Sequence, residues 1–205
     1  MHTITAIKVQ QKRSKRTNVF LNGTFAFSLA RSVIRERKLA PGQVLTDAEI
    51  EELAVVDLTR GCCDSALRLL SYRPRSEAEI RTRLIRRFDR QIVEQVIHQL
   101  RAEKFLDDTA FATFWKGSRQ SSRPRSKRML SAEMRSKGID HEIIAETLKN
   151  IDDADNAYQV ARKKARTMPK DDYKTFRRKL GAMLGRRGFS YEIIDGTIGR
   201  VWREL

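Results

Sequence analysis

The spacing of apolar residues changes about thirty residues into the chain. Before that point, the residues that would share one face recur at every second position in segments 5–9 and 25–29. This spacing is typical of β-strands with one buried face. Asn22-Gly23 stands between two apolar runs and is the dipeptide that most readily adopts the positive φ angles of a type I′ hairpin turn. The pattern predicts a three-stranded β-meander with a basic first loop at 11–16, followed by a helix near 29–38.

After Thr46-Asp47-Ala48-Glu49, which has the spacing of a capping box, the pattern is helical and repeats about every fifty residues. Arg73-Pro74-Arg75-Ser76 recurs letter for letter as Arg123-Pro124-Arg125-Ser126. Segments 88–93, 139–144 and 189–194 also correspond, at spacings of 51 and 50. Each begins a stretch with apolar residues at i, i+1, i+4, i+5 and i+8, which is the buried stripe of a helix.

Each repeat unit therefore predicts three helices. A proline ends the first helix, because proline disfavours helical backbone in the residue before it. Serine or aspartate caps the start of later helices, and glycine closes the second helix in two units. The prolines are Pro74, Pro124 and Pro169, the caps are Ser76, Ser126, Asp89, Asp140 and Ser190, and the glycines are Gly138 and Gly188. The first helices are expected at 65–72, 109–120 and 154–167, and the second helix of the third unit at 171–187.

The predicted fold is mainly α. It comprises an amino-terminal β-meander with a helix at 1–60 and three-helix units at 61–106, 107–151 and 152–205. Units of this size cannot each bury a full core, so we expect them to stack into an elongated, curved array. Aromatic residues at helical spacing are expected in the core, together with Ala110. These aromatics are Phe111, Phe114, Trp115, Phe176, Phe189 and Trp202.

The charge of the chain points to a polyanionic partner. Its 205 residues include 42 Lys and Arg against 26 Asp and Glu, a formal charge of +16. Segment 116–137 holds eight basic residues and only Glu133 as an acid, and segment 162–187 holds eleven against Asp171 and Asp172. A helix face that serves solubility alone normally mixes both signs. Nucleic acid is therefore the leading expectation, ahead of a membrane surface.

Catalytic patterns are weak in this sequence. His2, His98 and His141 are scattered, and the adjacent Cys62-Cys63 suits neither a disulfide framework nor a zinc site. The carboxylate pairs Asp107-Asp108 and Asp152-Asp153 each precede a first helix, where capping explains them. We therefore expect no enzymatic activity, no cofactor and no metal. Without a long apolar run or a secretory signal, a cytoplasmic protein is expected.

Three motifs resemble those of the RecX regulatory proteins, bacterial modulators of the RecA recombinase, and the resemblance covers most of the chain. The first motif is a serine, a glutamate three residues later, an apolar residue, and then a basic residue with leucine. The second is an apolar-Leu-Asp-Asp run followed by an aromatic residue. The third is a basic-Gly-apolar corner. They stand at Ser76-Glu77-Ala78-Glu79-Ile80 with Arg83-Leu84, at Phe105-Leu106-Asp107-Asp108-Thr109-Ala110-Phe111, and at Lys137-Gly138-Ile139 and Arg187-Gly188-Phe189. The first unit departs from the corner motif, with Arg87 in place of glycine.

The resemblance implies a non-enzymatic protein that binds in the helical groove of the recombinase filament on single-stranded DNA. It further implies that the protein inhibits or modulates ATP hydrolysis, strand exchange and SOS co-protease activity. Tandem three-helix repeats are also what the family implies. Segment 3–29 resembles the amino-terminal extension of longer members, so the essential function is not expected there.

Partner contact is expected from basic residues at the starts and exposed faces of the second helices. Single-stranded DNA is expected to be bound directly or through the filament, by a monomer. The candidate residues are Arg73, Arg75, Arg123, Arg125, Lys127, Arg128, Arg135 and Lys137.

Two alternatives from other classes stay open. A helix-turn-helix regulator of duplex DNA would fit short helices with tight corners, but the third helices repeat an apolar stripe instead of a polar, base-reading face. A metal-dependent nuclease would need a carboxylate cluster or base, and Asp107 and Asp108 are its best candidates.

Overall fold

The structure is a computed structural model that describes residues 1–11, 15–169 and 172–205. It confirms a mainly helical chain with a small amino-terminal sheet. The elements are β1 (His2–Val9), β2 (Arg16–Leu21), β3 (Thr24–Ala30), α1 (Arg31–Glu36), β4 (Val44–Leu45), α2 (Asp47–Tyr72), α3 (Glu77–Leu84), α4 (Arg90–Ala102), α5 (Asp108–Ser122), α6 (Lys127–Ser136), α7 (His141–Leu148), α8 (Asp153–Ala165), α9 (Tyr173–Arg186) and α10 (Tyr191–Arg203). Two compact units divide the chain. The first contains Met1–Tyr72 and Arg81–Glu103, and the second contains Arg73–Ile80 and Lys104–Leu205.

The predicted meander is present and is extended by β4, which gives a four-stranded sheet in the order β3-β2-β1-β4. Asn22 and Gly23 have φ angles of 50° and 86°, as the hairpin prediction requires. The expected alternation in β1 is wrong in detail: Ile4 is buried, whereas Val9 is 51% exposed. A shift in register between Ile4 and Ala6 changes which residues of β1 face the core. Most of the predicted basic loop, residues 12–14, lies outside the described residues.

A partly buried ion pair joins α2 to the sheet within the first compact unit. Arg16 Nη1 donates to Asp57 Oδ2 over 2.8 Å, and the backbone N–H of Ala30 donates to Asp57 Oδ1 over 2.6 Å. Asp57 lies in the middle of α2, which begins at the predicted capping box and continues to Tyr72. The helix expected to start at residue 65 therefore starts at Asp47.

The second and third three-helix bundles, α5–α7 and α8–α10, each have their own buried apolar cluster. The predicted stripes of the third helices are confirmed by buried residues such as Ile144 and Ile198. Phe114 is 45% exposed and Ala110 is also exposed, so both core predictions were wrong. The reason is helical phase: the stripe of α5 runs through Phe111 and Ala112 instead. Of the expected helix at 171–187, residue 171 lies outside the described residues, and Asp172 caps α9.

Each of the two Arg-Pro-Arg-Ser motifs makes the same contact, and both contacts lie within the second compact unit. Ser76 Oγ accepts a hydrogen bond from its own helix, from Glu79 N over 3.2 Å, and donates to the Lys137 carbonyl over 2.6 Å. Ser126 Oγ likewise accepts from Met129 N over 3.2 Å and donates to the Gly188 carbonyl over 2.7 Å. We call each of these contacts a serine joint. Each connects the start of a second helix to the glycine corner one repeat later.

The second aspartate of each carboxylate pair reinforces these joints. Asp107 and Asp152 cap their own helices, as predicted. Asp108 Oδ1 instead accepts from the backbone N–H of Glu77 over 2.9 Å, and Asp153 Oδ1 accepts from that of Lys127 over 2.7 Å. A carboxylate at a helix start is also stabilised by the helix dipole. Each pair thus caps two different helices.

Gly188 shows why the joints require glycine. Its φ is +86°, and a Cβ there would lie 2.7 Å from Ser126 Oγ and 2.8 Å from Met129 Cβ. We expect Gly188→Ala to lower the free energy of unfolding by about 2 kcal/mol or more, because it adds left-handed strain to overpacking. Urea unfolding measures this difference.

Gly199→Ala is the matched control, since Gly199 lies within α10 and a Cβ there has nothing within 4 Å. It should leave stability unchanged or raise it by up to about 1 kcal/mol. Equal effects of the two substitutions would show that the corner does not restrict residue 188.

Candidate partner-binding surface

The structure divides the predicted contact residues by what their side chains do. Arg73, Arg125 and Lys137 form ion pairs with carboxylates. Arg75 is half-buried. The other four are exposed along the start and end of α6: Arg123, Lys127, Arg128 and Arg135. The prediction therefore mixed residues that organise the fold with residues that are accessible to a partner.

Glu79 holds two of the predicted residues in place. Arg73 donates to both of its carboxylate oxygens, over 2.9 and 3.0 Å, and Lys137 Nζ donates over 2.9 Å. Burial by itself would raise the pKa of Glu79, but the hydrogen bonds from Arg73 and Lys137 outweigh it and lower the pKa to about 2. Lys137 also lies 4.3 Å from the centre of the Trp115 ring. Its side chain is only 18% exposed.

Glu133 is the corresponding acid beside the second Arg-Pro-Arg-Ser motif. It accepts from Trp115 Nε1 over 2.8 Å and from Arg119 Nε over 2.9 Å, and it forms an ion pair with Arg125. Three donors from α5 and the following turn thus converge on Glu133. The spacing of Ser76 and Glu79 predicted their capping contact, but no local spacing indicated that Glu133 would collect these partners.

The arginines near this acid repel one another. Burial comes first in lowering the pKa of Arg125, followed by the charges of Arg119 and Arg123. The pKa of Arg187 is also lowered by burial and then by Arg123 and Arg125. Arg123 contributes repulsion to both neighbours, and its own side chain is exposed. A bound polyanion would relieve this repulsion.

Lys127 and Arg128 line a groove of about 590 Å³ between α6 and α7, here called the α6 groove. His141 and Lys149 line it as well, although the sequence analysis had not assigned them to a site. Lys149 forms an ion pair with Glu146, and Asp153 supplies an acid to the groove. Ile144 and Leu148 contribute its apolar part. The groove thus offers positive charge beside an apolar base, in which Ile144 and Leu148 are themselves buried.

His141 and Lys149 could have been found from the repeat pattern. His141 begins α7 and Lys149 follows its end, so both bracket a helix that packs against α6. A short helix that packs against the preceding helix brings the residues at its own ends near that helix. The prediction considered the second helices alone and therefore missed them.

Other chemistry is not supported by the described residues. Among them, no group of three or more His, Cys, Asp or Glu side chains could hold a metal ion. Burial, followed by the charge of Cys63, raises the pKa of the Cys62 thiol to about 11, so it is a poor nucleophile. No helix in the described residues is long and apolar enough to cross a bilayer.

Sequence models of the RecX family match four successive parts of the chain. They are described as the RecX regulatory protein amino-terminal domain, at 2–46, and the first, second and third three-helix domains, at 62–100, 107–148 and 151–198. A protein of Listeria welshimeri named regulatory protein RecX is 30% identical, over 98% of this chain and 77% of its own. The RecX protein of Bacillus subtilis is 29% identical, over 98% and 78%. The chain belongs to the RecX family.

Solved structures agree. One described as the crystal structure of regulatory protein RecX has a TM-score of 0.69 at 25% identity and covers 95% of this chain and 98% of its own. RecX from Lactobacillus salivarius matches with a TM-score of 0.62 at 23% identity, over 73% and 99%, which shows a shared fold. The relatives are named regulatory proteins.

Glu79 gives this region a pH dependence. Its pKa is lower in the folded chain than its ordinary value of 4.5, so its carboxylate stabilises the fold above pH 4.5 and this contribution is lost as the pH falls towards 2. Glu79→Gln should cost about 2 kcal/mol at pH 7 and much less at pH 2.5, as measured by urea unfolding.

Glu142→Gln is the control, because Glu142 is exposed at the start of α7. We expect it to change stability by less than about 0.5 kcal/mol at either pH. A cost for Glu79→Gln that is equal at both pH values would contradict the assigned ion pairs.

Proposed function

We propose that this protein binds the RecA-type recombinase filament on single-stranded DNA, in the filament's helical groove, and restrains its activities. These activities are ATP hydrolysis, strand exchange and SOS co-protease function, and the protein itself catalyses no reaction. The observation that carries the proposal is the match of all four RecX domains along the chain. We further propose that it acts as a monomer in the cytoplasm.

The electrostatics of the described residues support a partner of this kind. A filament on DNA presents protein and phosphate together, and the α6 groove combines cationic ends with an apolar part. Each Lys or Arg placed on a phosphate releases a counterion, so binding should weaken as salt rises. We propose Arg123, Lys127, Arg128 and Arg135 as direct contacts, because these side chains are exposed.

The remaining predicted residues act through the fold in this proposal. Arg73 and Lys137 position the start of α3 through Glu79, and Arg125 positions the start of α6 through Glu133. Arg75 belongs to the same turn as Arg73. We propose 1–60, 61–106, 107–151 and 152–205 as the functional divisions, with partner contact concentrated in the third of them.

The duplex-DNA regulator has less support. The third helices α4, α7 and α10 would have to present polar side chains to base edges. Each instead buries a stripe of apolar side chains, as Val93 and Val96 do in α4. Tight binding to bare duplex, with no effect on a recombinase, would favour this alternative.

The proposal predicts inhibition of DNA-dependent ATP hydrolysis by a recombinase at less than equimolar protein. Simple competition for DNA would need far more protein, since each molecule would have to cover its own stretch of strand. Reversing two charges of the α6 groove, in Lys127→Glu with Arg128→Glu, should raise the protein needed for half-inhibition about tenfold. A titration of ATP hydrolysis at moderate salt measures both effects.

Arg31→Glu with Arg35→Glu makes the same change in charge on the exposed surface of α1 and serves as the control. It should inhibit like the unmodified chain. The proposed function is wrong if the unmodified protein has no effect at an equimolar ratio. If the unmodified protein inhibits, but the α6 groove variant and the control variant inhibit equally well, the proposed function stands and the assigned contacts are wrong.

A further inference from the structure

A cleft of about 640 Å³ lies in the second unit, beside α8 and between the end of α5 and α9. Five basic residues line it, four of them exposed and one half-buried. They are Arg162, Lys163, Lys164, Arg166 and Arg187. They fall within the basic segment 162–187, and none of them is among the predicted contact residues. We call this the α8 cleft.

Among the residues that the structure describes, no carboxylate lines the α8 cleft. Within the described part of the chain, none of its five basic side chains has an acid within ion-pair distance, although Arg162 is near enough to contribute to lowering the pKa of Glu204. Elsewhere in the same bundle Arg177 pairs with Asp195 over 2.7 Å and Arg200 with Glu204 over 3.1 Å. The α8 cleft thus gathers five basic side chains that have no ion-pair partner among the described residues.

Helix stabilisation accounts for only part of this charge. Arg162, Lys163 and Lys164 lie in the last turn of α8, where cations interact favourably with the helix dipole. Arg187 comes from a different helix, and burial and two neighbouring arginines lower its pKa. Its guanidinium is directed to the Pro124 carbonyl over 3.2 Å, which holds it beside the cleft. Another positive charge at this position raises the electrostatic energy of the free protein, and a bound polyanion would lower that energy again.

Phosphate binding in the cleft would rest on its basic side chains. The hydroxyls of Ser121, Ser122 and Thr167 also line it, but they donate to the carbonyls of Gly117, Ser118 and Lys164. Val160 and Met183 supply an apolar floor. The cleft is concave and about the size of a ligand pocket, so a single strand can enter it, whereas the phosphates of a duplex are held on the outside of a wide cylinder. Positively charged grooves that follow the backbone are the usual means of binding single strands without regard to sequence.

We propose that the α8 cleft binds the phosphodiester backbone of single-stranded nucleic acid directly, without a recombinase. This deepens the proposed function by giving the strand its own site, separate from the α6 groove. Binding in the cleft would place the third three-helix bundle on the strand and leave the α6 groove available to protein.

The experiment titrates a fluorescent 25-residue oligothymidylate with the full chain and follows anisotropy, with no recombinase present. Lys163→Gln with Arg166→Gln removes two cleft charges at exposed positions. We expect it to weaken binding about tenfold or more. Because each phosphate contact on a single strand contributes about 0.7 to the slope of log affinity against log salt, the slope should fall by about 1.4.

Arg31→Gln with Arg35→Gln is the matched control and should change neither affinity nor slope by more than its general effect on net charge. The cleft assignment is overturned if the two variants behave alike, or if the unmodified chain fails to bind the oligonucleotide at low salt. Tighter binding to a duplex of the same length, or equal competition by polyglutamate, would also overturn it. An unmodified chain that inhibits a recombinase but does not bind the oligonucleotide would refute the cleft assignment alone. An unmodified chain that binds the oligonucleotide but does not inhibit a recombinase would refute the proposed function alone.

Discussion

The arrangement of the second unit depends on a hydroxyl group that makes two hydrogen bonds at once. In each serine joint the Oγ accepts from its own helix and donates to a carbonyl about sixty residues further along the chain. Ser76 and Ser126 are fully or almost fully buried, so a side chain that left either partner unsatisfied would be costly. A glycine with positive φ permits the close approach. The position of each second helix, and hence of its cations, follows from this contact.

The joints also determine which basic residues remain available. At the first joint Glu79 neutralises Arg73 and Lys137. The matched position in the next repeat is Met129, so Arg123, the counterpart of Arg73, has no equivalent acid beside it. The residues that follow the repeated Arg-Pro-Arg-Ser motif thus differ, and an arginine that is paired in the first copy is exposed in the second. The proposed contact surface lies where the repeat loses its symmetry.

Sequence predicted the local features well, since they depend on residues near one another in the chain. The hairpin at Asn22-Gly23, the helix caps and the stripes of the third helices are all confirmed. Features that need distant partners could not be predicted. The pairing of Lys137 with Glu79 spans 58 residues, and β4 joins the sheet only through the distant strand β1. Phe114 was misplaced for another reason, because one aromatic among several fits more than one helical phase.

The same limit explains why the candidate residues were partly structural. A run of basic residues shows that charge is abundant but does not show which charges the fold has neutralised. Around the second joint Arg119 and Arg125 pair with one carboxylate, that of Glu133. Arg123 and Arg187 add further positive charge, since Arg123 lowers the pKa of both Arg125 and Arg187, and Arg187 lines the α8 cleft. Repulsion of this kind lowers stability in the free protein, and a polyanion bound there would add stability by mass action. In the proposed function, binding and folding of this unit are therefore coupled through its arginines.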